Sequence, residues 1–401
     1  SGWGNITGSF KLAKNSIAVA NLTNSYSASS SSSRGPAFDG RIKPDIAALG
    51  SSVTSTEDNG SYSVKSGTSM AAPGVAGTMA QLIQAFRANN NNQDPKTGLM
   101  MGIVLNTAED LGVAGPDFIF GFGKISATRA VKVIQNKTYF SNTVTTGQTR
   151  THTINVPVNT RQMKIMVYWT DPAATSGTTK ALINDIDMVV KQGSTNFLPL
   201  ILNPSTTDVN LLNAPAVPGI DRINNKEQVV INNPSGTYTV DITGFAIPSG
   251  PQEYFVVYEF SQEVIEIISP VNNGSLIQGS TALITWDAIG TSGTFNIQYS
   301  LNDGASWVTI NSALSGSRRS ITWTVPNTTT GKAKIRVSRN GIVGETQNNF
   351  AILPRPGGLV IDFRCTNFSK LSWTAIPGAD AYVVYKHNGF QMVAIGETTS
   401  N

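Results

Sequence analysis

The chain has 401 residues, enough for two to four domains at about 150 residues each. Its 29 lysines and arginines exceed its 25 aspartates and glutamates by only four, and charged residues make up 13% of the sequence. This sparse, balanced charge argues against a nucleic-acid-binding protein, which usually concentrates its basic residues in one patch. The longest apolar runs, such as residues 163–169, fall far short of the roughly 20 residues that span a bilayer, so no membrane span is predicted.

Cysteine and histidine are scarce. The single cysteine, Cys365, excludes an internal disulfide framework and a cysteine-cluster metal site. Two histidines, His152 and His387, leave little for a histidine-based metal site. The low charge and the many serine, threonine, asparagine and glycine residues favour an exported, β-rich protein. Because the chain starts at Ser1 without a signal-peptide pattern and stops in a polar run, we expect it to be an internal piece of a longer protein.

The first 138 residues combine strand and helix patterns. Two short apolar runs bounded by polar turns predict buried strands at residues 17–20 and 45–49. Apolar residues at helical spacing predict helices at about 70–86, 97–109 and 126–135. Pro73 is compatible with the first of these helices if it lies in the first turn, where its missing N–H would be unpaired anyway.

From about residue 141 the apolar period becomes two, which is typical of antiparallel strands. Strands are predicted at residues 163–169, 187–190, 227–231, 237–242 and 254–258. Their number and spacing favour a sandwich or barrel. A third β unit follows from 263 to 353. After the proline- and glycine-rich stretch 354–358, the remaining residues are too few for a complete sandwich of about 100 residues, so we expect a module that is cut short.

The strongest candidate for chemistry is Ser69, which follows Gly67 and Thr68 at the start of a predicted helix rich in small residues. Small residues let a substrate backbone approach closely, and the N–H groups at a helix N-terminus favour a developing oxyanion. A Gly-Thr-Ser sequence before a helix is also an ordinary N-cap. The residues alone leave both interpretations open.

Gly67-Thr-Ser-Met-Ala-Ala-Pro73 resembles the catalytic-serine motif of the subtilisin-like serine proteases, the subtilases. Other segments resemble further parts of that domain in the order that the family shows, namely residues 13–19, 32–45, 107–112 and 115–123. Four later segments are similar to the C-terminal β-barrel, or jelly roll, of one bacterial group of subtilases, namely residues 165–172, 182–187, 224–229 and 235–240. The last two units look like immunoglobulin-like and fibronectin type III modules.

The resemblance therefore implies a multidomain protein in which a partial α/β subtilisin-like domain precedes all-β jelly-roll and sandwich modules. The expected domains are the C-terminal part of a peptidase domain at 1–138, a β-barrel at 141–262, an immunoglobulin-like sandwich at 263–353, and the start of a truncated fibronectin type III-like module at 354–401.

For function, the resemblance implies peptide-bond hydrolysis by an Asp-His-Ser triad. Ser69 would be the nucleophile, its backbone N–H one oxyanion donor, and Gly67 and Thr68 the supporting motif. The aspartate and histidine of the triad are expected upstream of this chain. Neither His152 nor His387 replaces that histidine, because both follow the serine and lie in β modules.

Asn5 is a candidate for the side-chain oxyanion donor of the family, but its neighbours lack the Ala-Gly-Asn pattern expected there. A serine hydroxyl is a weak nucleophile until a neighbouring base takes its proton. Since no such base is visible in the sequence, we expect the isolated chain to be inactive toward peptides.

No cofactor is expected for catalysis, but a structural calcium ion is compatible with the family. The candidate ligands are Asp185 and Asp187, beside Asn184, because Ca²⁺ takes oxygen donors. Asp208 and Asp221 are a second acidic pair. The alternative is that these residues make hydrogen bonds at turns and strand ends.

Two minor expectations concern packing. Trp286, Trp323 and Trp373 occupy strand positions typical of sandwich cores rather than exposed binding platforms. Cys365 is expected to be a small buried hydrophobe.

Two functions remain open. The first is a bacterial endopeptidase, secreted or at the cell surface, that acts on protein or peptide substrates. The alternative is a non-catalytic secreted binding or adhesion protein that uses a degenerate subtilase-like scaffold. The intact Ser69 motif favours the enzyme.

Overall fold

The computed structural model describes the chain except for residues 1, 5, 7, 9, 59, 206, 207, 366, 367, 380, 390 and 401. The chain forms two compact units, Ser1–Gln262 and Glu263–Asn401. The expected modules 1–138 and 141–262 thus lie together in the first unit. None of the described helices is long and apolar enough to cross a bilayer.

The first part of this unit is an α/β layer. Its strands are β1 (Val19–Leu22), β2 (Ile46–Leu49), β3 (Val53–Thr56) and β4 (Tyr62–Lys65). Its helices are α1 (Thr68–Asn89), α2 (Thr97–Asn106) and α3 (Ala127–Asn136), and a short 3₁₀ turn covers Phe10–Leu12. β1 and β2 are parallel, whereas β3 and β4 form an antiparallel hairpin. Both predicted strands and all three predicted helices are confirmed to within a few residues.

Helix α1 buries a single stripe of side chains at helical spacing, namely Ala71, Val75, Leu82 and Phe86. The expectation for Pro73 is wrong in one respect. Because α1 begins at Thr68, Pro73 is inside the helix and beyond its first turn. Proline has no N–H, so the helix lacks the bond that this position would donate to the carbonyl of Ser69.

Helix α2 is buried on all sides, and only its first residue, Thr97, is outside the buried set. Two glycines allow this close packing. A Cβ atom at Gly98 would lie 2.7 Å from the ring of Phe255, and one at Gly102 would lie 3.2 Å from Val257. The helix therefore sits directly on the β-sheet that follows in the chain.

The second part of the unit is a β-sandwich. Its strands are β5 (Tyr139–Val144), β6 (Thr149–Asn155), β7 (Thr160–Tyr168), β8 (Asp185–Gln192), β9 (Thr195–Phe197), β10 (Leu200–Ile201), β11 (Val217–Pro218), β12 (Lys226–Asn232), β13 (Thr237–Ala246) and β14 (Gln252–Gln262), with a short helix α4 (Val209–Leu212). Two four-stranded antiparallel sheets have the orders β12-β7-β14-β5 and β6-β13-β8-β9. The five predicted strands are among them.

The sheet β12-β7-β14-β5 has two buried faces. On β7, Ile165 and Val167 point into the core between the two sheets, whereas Met166 and Tyr168 join the core under the helices. This two-sided burial explains why residues 163–169 form an almost continuous apolar run. The sheet is thus shared between the α/β layer and the sandwich, which makes residues 1–262 a three-layer unit.

The second unit contains another sandwich. Its strands are β15 (Glu266–Ser269), β16 (Ser275–Ile277), β17 (Thr281–Asp287), β18 (Thr294–Ser300), β19 (Val308–Ser315), β20 (Ser320–Thr324), β21 (Thr330–Arg339), β22 (Ile342–Glu345) and β23 (Phe350–Leu353). They form the sheet β15-β17-β20 and the sheet β16-β23-β21-β18-β19, to which β22 adds by pairing with β21. Trp286 and Trp323 are buried in its core, as predicted.

The end of the chain forms two hairpins, from β24 (Val360–Arg364) with β25 (Ser369–Ser372) and from β26 (Tyr382–His387) with β27 (Met392–Thr398). Two expectations are wrong here. Cys365 is exposed, and Trp373 is only half-buried, with its ring 5.2 Å from that of Tyr382. Most side chains of these strands are exposed, so the described hairpins provide no core to cover them.

Candidate catalytic serine

Two hydrogen bonds between the ends of the β3-β4 hairpin fix the backbone just before Ser69. The N–H of Gly67 donates to the carbonyl of Gly50 at 2.8 Å. Next to it, the N–H of Ser52 donates to Oγ of Ser66, also at 2.8 Å. The two bonds close the base of the hairpin, so the end of β2 sets the position at which α1 begins.

Glycine is required on both sides of this contact for different reasons. At Gly50 there is no room, because a Cβ atom would lie 2.5 Å from the carbonyl oxygen of Gly67 and 2.8 Å from Cβ of Ala71. At Gly67 there is room, but its φ of 153° lies in a region that L side chains rarely adopt. The Gly67 predicted to support the motif is therefore a structural requirement for the turn into α1.

Ser69 is exposed and is the second residue of α1. The N–H groups of Met70 and Ala71 donate to the carbonyl of Gly67, at 3.0 and 3.3 Å. The N–H of Ser69 precedes these bonded groups and belongs to the helix terminus, where backbone donors have no partner within the helix. Its hydroxyl and its own N–H are thus presented at the positive end of the helix dipole.

The histidines of the chain do not complete the site. His152 lies on β6, where Nε2 is 2.8 Å from the hydroxyl of Tyr254 and the ring stacks on Phe140 with the centroids 3.9 Å apart. Burial lowers the pKa of His152. His387 lies on β26, in the other compact unit. Asn5 is outside the described residues.

A buried ionic network lies under the start of β2. Asp45, which precedes β2, has both carboxylate oxygens engaged: Oδ1 accepts from Nζ of Lys226 at 2.8 Å, and Oδ2 accepts from the N–H of Ala18 at 2.8 Å and from the ammonium of Lys43. Although burial alone would raise it, the pKa of Asp45 is lowered by Lys226 and Lys43. Burial lowers the pKa of Lys43 to about 8.

Sequence reasoning missed this network and three similar contacts between the α/β layer and the sandwich. Lys14 is paired with Asp171, Lys164 bonds the carbonyl of Ala108, and Asn224 accepts from the N–H of Ile42. One signal was present, because a lysine interrupts the apolar run at 163–169 and another begins β12. A charge inside a buried strand requires a partner.

The candidate calcium ligands have a different partner. Arg222 donates Nη1 and Nη2 to the carboxylate of Asp187, the second at 3.1 Å, and Nη1 also lies 3.4 Å from Oδ1 of Asp185. Burial raises the pKa of Asp185 to about 6. A guanidinium already occupies these oxygens, so the arrangement does not fit a calcium site.

The other acidic pair makes local hydrogen bonds. Asp208 caps α4 by accepting from Asn210 at 2.8 Å, and Asp221 accepts from Ile223 at 2.8 Å. In the part of the chain that the structure describes, no three histidine, cysteine or acidic side chains converge to hold a metal ion. The geometry favours the interpretation of local turn and cap bonds for Asp208 and Asp221, whereas Asp185 and Asp187 pair with Arg222.

Comparison with known families shows what the segment around Ser69 is similar to. Residues 4–123 match the model of the Subtilase family. The resemblance to the subtilases is confirmed for these residues. The matched segment contains β1 to β4, α1 and α2, and so it includes Ser69 together with Gly50, Gly67 and Asp45.

Several curated serine proteases are similar to parts of the chain. The serine protease/ABC transporter B family protein tagD of Dictyostelium discoideum is 23% identical over 315 residues, covering 59% of this chain and 17% of that protein. The extracellular serine protease of Serratia marcescens is 42% identical over 73 residues, covering 18% of this chain and 6% of that protein. A PII-type proteinase of Lactococcus lactis subsp. cremoris is 48% identical over 59 residues, covering 15% of this chain and 3% of that protein.

The chain spans no more than 17% of the length of these three relatives. The match to tagD covers 59% of the chain, so that similarity extends beyond residues 4–123 into the sandwich. Among solved structures, a lanthipeptide protease is 27% identical, with a TM-score of 0.26 and coverage of 29% of this chain and 41% of that one. At that TM-score the structural match is only local.

Proposed function

We propose that this chain is part of a serine endopeptidase of the subtilase type, in which Ser69 is the nucleophile. The observation that carries the proposal is the placement of Ser69 within the matched segment. It is exposed at the N-terminus of α1, on a backbone held by the bond from Gly67 to Gly50. Exposure at this position leaves Oγ of Ser69 accessible to a substrate, as a nucleophile requires.

In the proposed reaction, Oγ of Ser69 attacks the carbonyl carbon of the scissile peptide bond while a base accepts the hydroxyl proton. The carbonyl oxygen becomes an oxyanion, which the N–H of Ser69 is placed to stabilise with the help of the helix dipole. The base then returns the proton to the leaving amine, and water hydrolyses the acyl-enzyme. Gly67 and Thr68 set the backbone from which these groups project.

Among the described residues, no contact of Ser69 supplies the base that accepts the hydroxyl proton. His152 is committed to Tyr254 and Phe140 in the sandwich. We therefore propose that the aspartate and histidine come from a segment outside this chain, and that the isolated 401-residue chain is inactive. The sandwiches at 141–262 and 263–353, and the partial module at 354–401, would be appended modules of a secreted or surface protease.

The test uses the natural full-length protein that contains this chain. Ser69→Ala should abolish labelling by a fluorophosphonate and lower peptide hydrolysis by about 10⁴-fold or more. The matched control is Ser55→Ala, which removes another exposed serine, on β3 of the same segment, and should leave both unchanged. Because a serine triad needs no metal, a chelator should leave the rate constant of hydrolysis unchanged.

The competing function is a non-catalytic binding or adhesion protein built on the same scaffold. That function would be supported if the full-length protein were neither labelled nor active, and if Ser69→Ala changed nothing but local helix stability. Labelling of the full-length protein that Ser69→Ala abolishes would exclude it.

A further inference from the structure

We infer that Lys226, in the sandwich, is a positioning residue for Ser69, an inference that rests on the proposed function. Lys226 is the first residue of β12 and lies 181 positions after its partner Asp45. The two side chains are only 2% and 1% exposed, with Nζ and Oδ1 2.8 Å apart. A buried ion pair of this kind restrains the separation of the two layers at this point, because the attraction between its charges is only weakly screened in the interior.

Asp45 transmits this constraint to both strands of the parallel pair. Its side chain accepts from the N–H of Ala18, its own N–H donates to the carbonyl of Ala18 at 2.8 Å, and its carbonyl accepts from Phe122 at 3.0 Å. Asp45 therefore joins the residue before β1, the start of β2 and the turn at 121–123. A shift of its carboxylate would strain the bond to the N–H of Ala18 and so disturb the start of both strands.

From the start of β2, the contact continues to the helix that bears the serine. Ile46 and Ala48 are buried in the same cluster as Ala71 and Val75 of α1. Directly after β2, the carbonyl of Gly50 accepts the N–H of Gly67 at 2.8 Å. β2 thus supports α1 along its side and at its N-terminus, two residues before Ser69.

A second lysine, Lys43, also pairs with Asp45, so folding does not depend on Lys226 alone to neutralise this carboxylate. Asp45 is also bonded by Lys43, whose ammonium donates to the carbonyl of Ser16 at 2.8 Å as well. If Lys226 is removed, Asp45 keeps one cation and the chain can still fold. What is lost is the direct bond from Asp45 to the sandwich, so we expect the start of β2 to relax toward Lys43 and α1 to move with it.

The inference concerns catalysis as well as folding, because a nucleophile misplaced by about 1 Å costs roughly 100-fold in rate. In the full-length enzyme, Lys226→Met should lower kcat by about 10- to 100-fold and leave KM within twofold. Lys226→Arg, which keeps the charge, should recover most of kcat. The matched control is Lys191→Met, which removes a half-exposed sandwich lysine paired with Asp241 and should leave both constants unchanged.

A second measurement does not depend on activity. In the 401-residue chain, amide hydrogen exchange of the peptide covering residues 66–72 should be about tenfold faster in Lys226→Met than in the unsubstituted chain, and unchanged in Lys191→Met. If Lys226→Met does not fold, Lys226→Gln serves instead, since it also removes the charge that pairs with Asp45 but keeps a polar side chain, and exchange at 66–72 should again be faster. Loss of Lys226 should also raise the pKa of Lys43, because the repulsion between the two ammoniums disappears.

The outcomes separate the two claims. Unchanged exchange at 66–72, or a rise in KM with no change in kcat, would overturn the positioning role even if Ser69 proves to be the nucleophile. A second outcome is faster exchange while Ser69 of the full-length protein is neither labelled by the fluorophosphonate nor needed for peptide hydrolysis. That outcome would overturn the proposed function, and with it the catalytic role of Lys226. The inference is supported by faster exchange together with a fall in kcat that Lys226→Arg reverses.

Discussion

The pair Lys164–Glu259 allows a quantitative test of how the two layers of the first unit are held together. Lys164 on β7 and Glu259 on β14 are opposite each other in the sheet, on the face toward the helices. Nζ lies 2.9 Å from Oε1 of Glu259 and 2.7 Å from the carbonyl of Ala108, just after α2, and both charged side chains are only 7% exposed. We predict that Lys164→Met destabilises the unit strongly.

The magnitude follows from the geometry. At an effective dielectric constant of about 20, unit charges 2.9 Å apart attract by about 6 kcal/mol, part of which offsets the cost of burying them. Removing only the lysine leaves the carboxylate of Glu259 buried without a cation and the carbonyl of Ala108 without its donor. Such truncations cost about 3–5 kcal/mol. At 2–4 °C per kcal/mol, the melting temperature of a unit of this size should fall by about 10 °C.

The assay is urea denaturation of the 401-residue chain, followed by a signal from the first unit. In the double variant Lys164→Met with Glu259→Leu, the buried charge is gone, so at least about 2 kcal/mol of the loss should return. As a control, Lys96→Met removes an exposed ion pair, that with Glu253, which joins the same two layers. It should lower the free energy of unfolding by less than about 1 kcal/mol. The reasoning is refuted if Lys164→Met costs less than 1 kcal/mol, or if the double variant is no more stable than the single one.

Four further predictions concern the same unit. Leu82→Ala, at a fully buried position of α1, should lower the free energy of unfolding by about 2–5 kcal/mol in urea denaturation. Gly121→Ala should cost more than about 3 kcal/mol or prevent folding, because φ is +65° and a Cβ atom would lie 2.3 Å from the carbonyl carbon of Asp45. Gly147→Ala, with φ of +76° but open space around it, should cost only about 1 kcal/mol. Burial raises the pKa of Asp117 from 3.8 to about 7, so the folded state binds more protons than the unfolded state between these values, and stability should fall as pH rises from 4 to 7.

Each of these predictions has a measurable result that would contradict it. A cost below 1 kcal/mol for Leu82→Ala would mean that the stripe on α1 is not packed as described. Equal costs for the two glycine substitutions would show that positive φ, rather than the close contact, dominates. For Asp117, the free energy of unfolding measured at pH 5 and pH 8 should differ less in Asp117→Asn than in the unsubstituted chain, and an unchanged difference would contradict the assignment.

The sequence allowed much of the fold to be predicted because most elements carry a strong local pattern. The helices α1 to α3 and the strands β7, β8 and β12 to β14 bury apolar residues at a clear period. β5 and β6 were not predicted, since their fully buried apolar side chains are limited to Val144 and Ile154. The exposure of Cys365 was also not predictable, because it depends on which strands cover it and not on the residue itself.

The candidate site was predictable only where its residues are contiguous. Ser69 and Gly67 lie in one motif, and the structure places them at the turn into α1. The bond from Lys226 to Asp45 joins residues 181 positions apart, and no local pattern relates them. The same reason explains why the sequence did not reveal Arg222 as the partner of Asp185 and Asp187, since Arg222 lies on a distant loop.

The sheet β12-β7-β14-β5 has a consequence for how such proteins can diversify by recombination. A crossover near residue 138 would join one parent's helices to another parent's sheet, whose outer face carries Met166, Tyr168, Phe255 and Val257 toward those helices. Such a hybrid must match side-chain shape and the buried charges across the join at the same time. Residues 1–262 therefore have to be inherited together, and a functional crossover is more easily accommodated near Glu263, where the second compact unit begins.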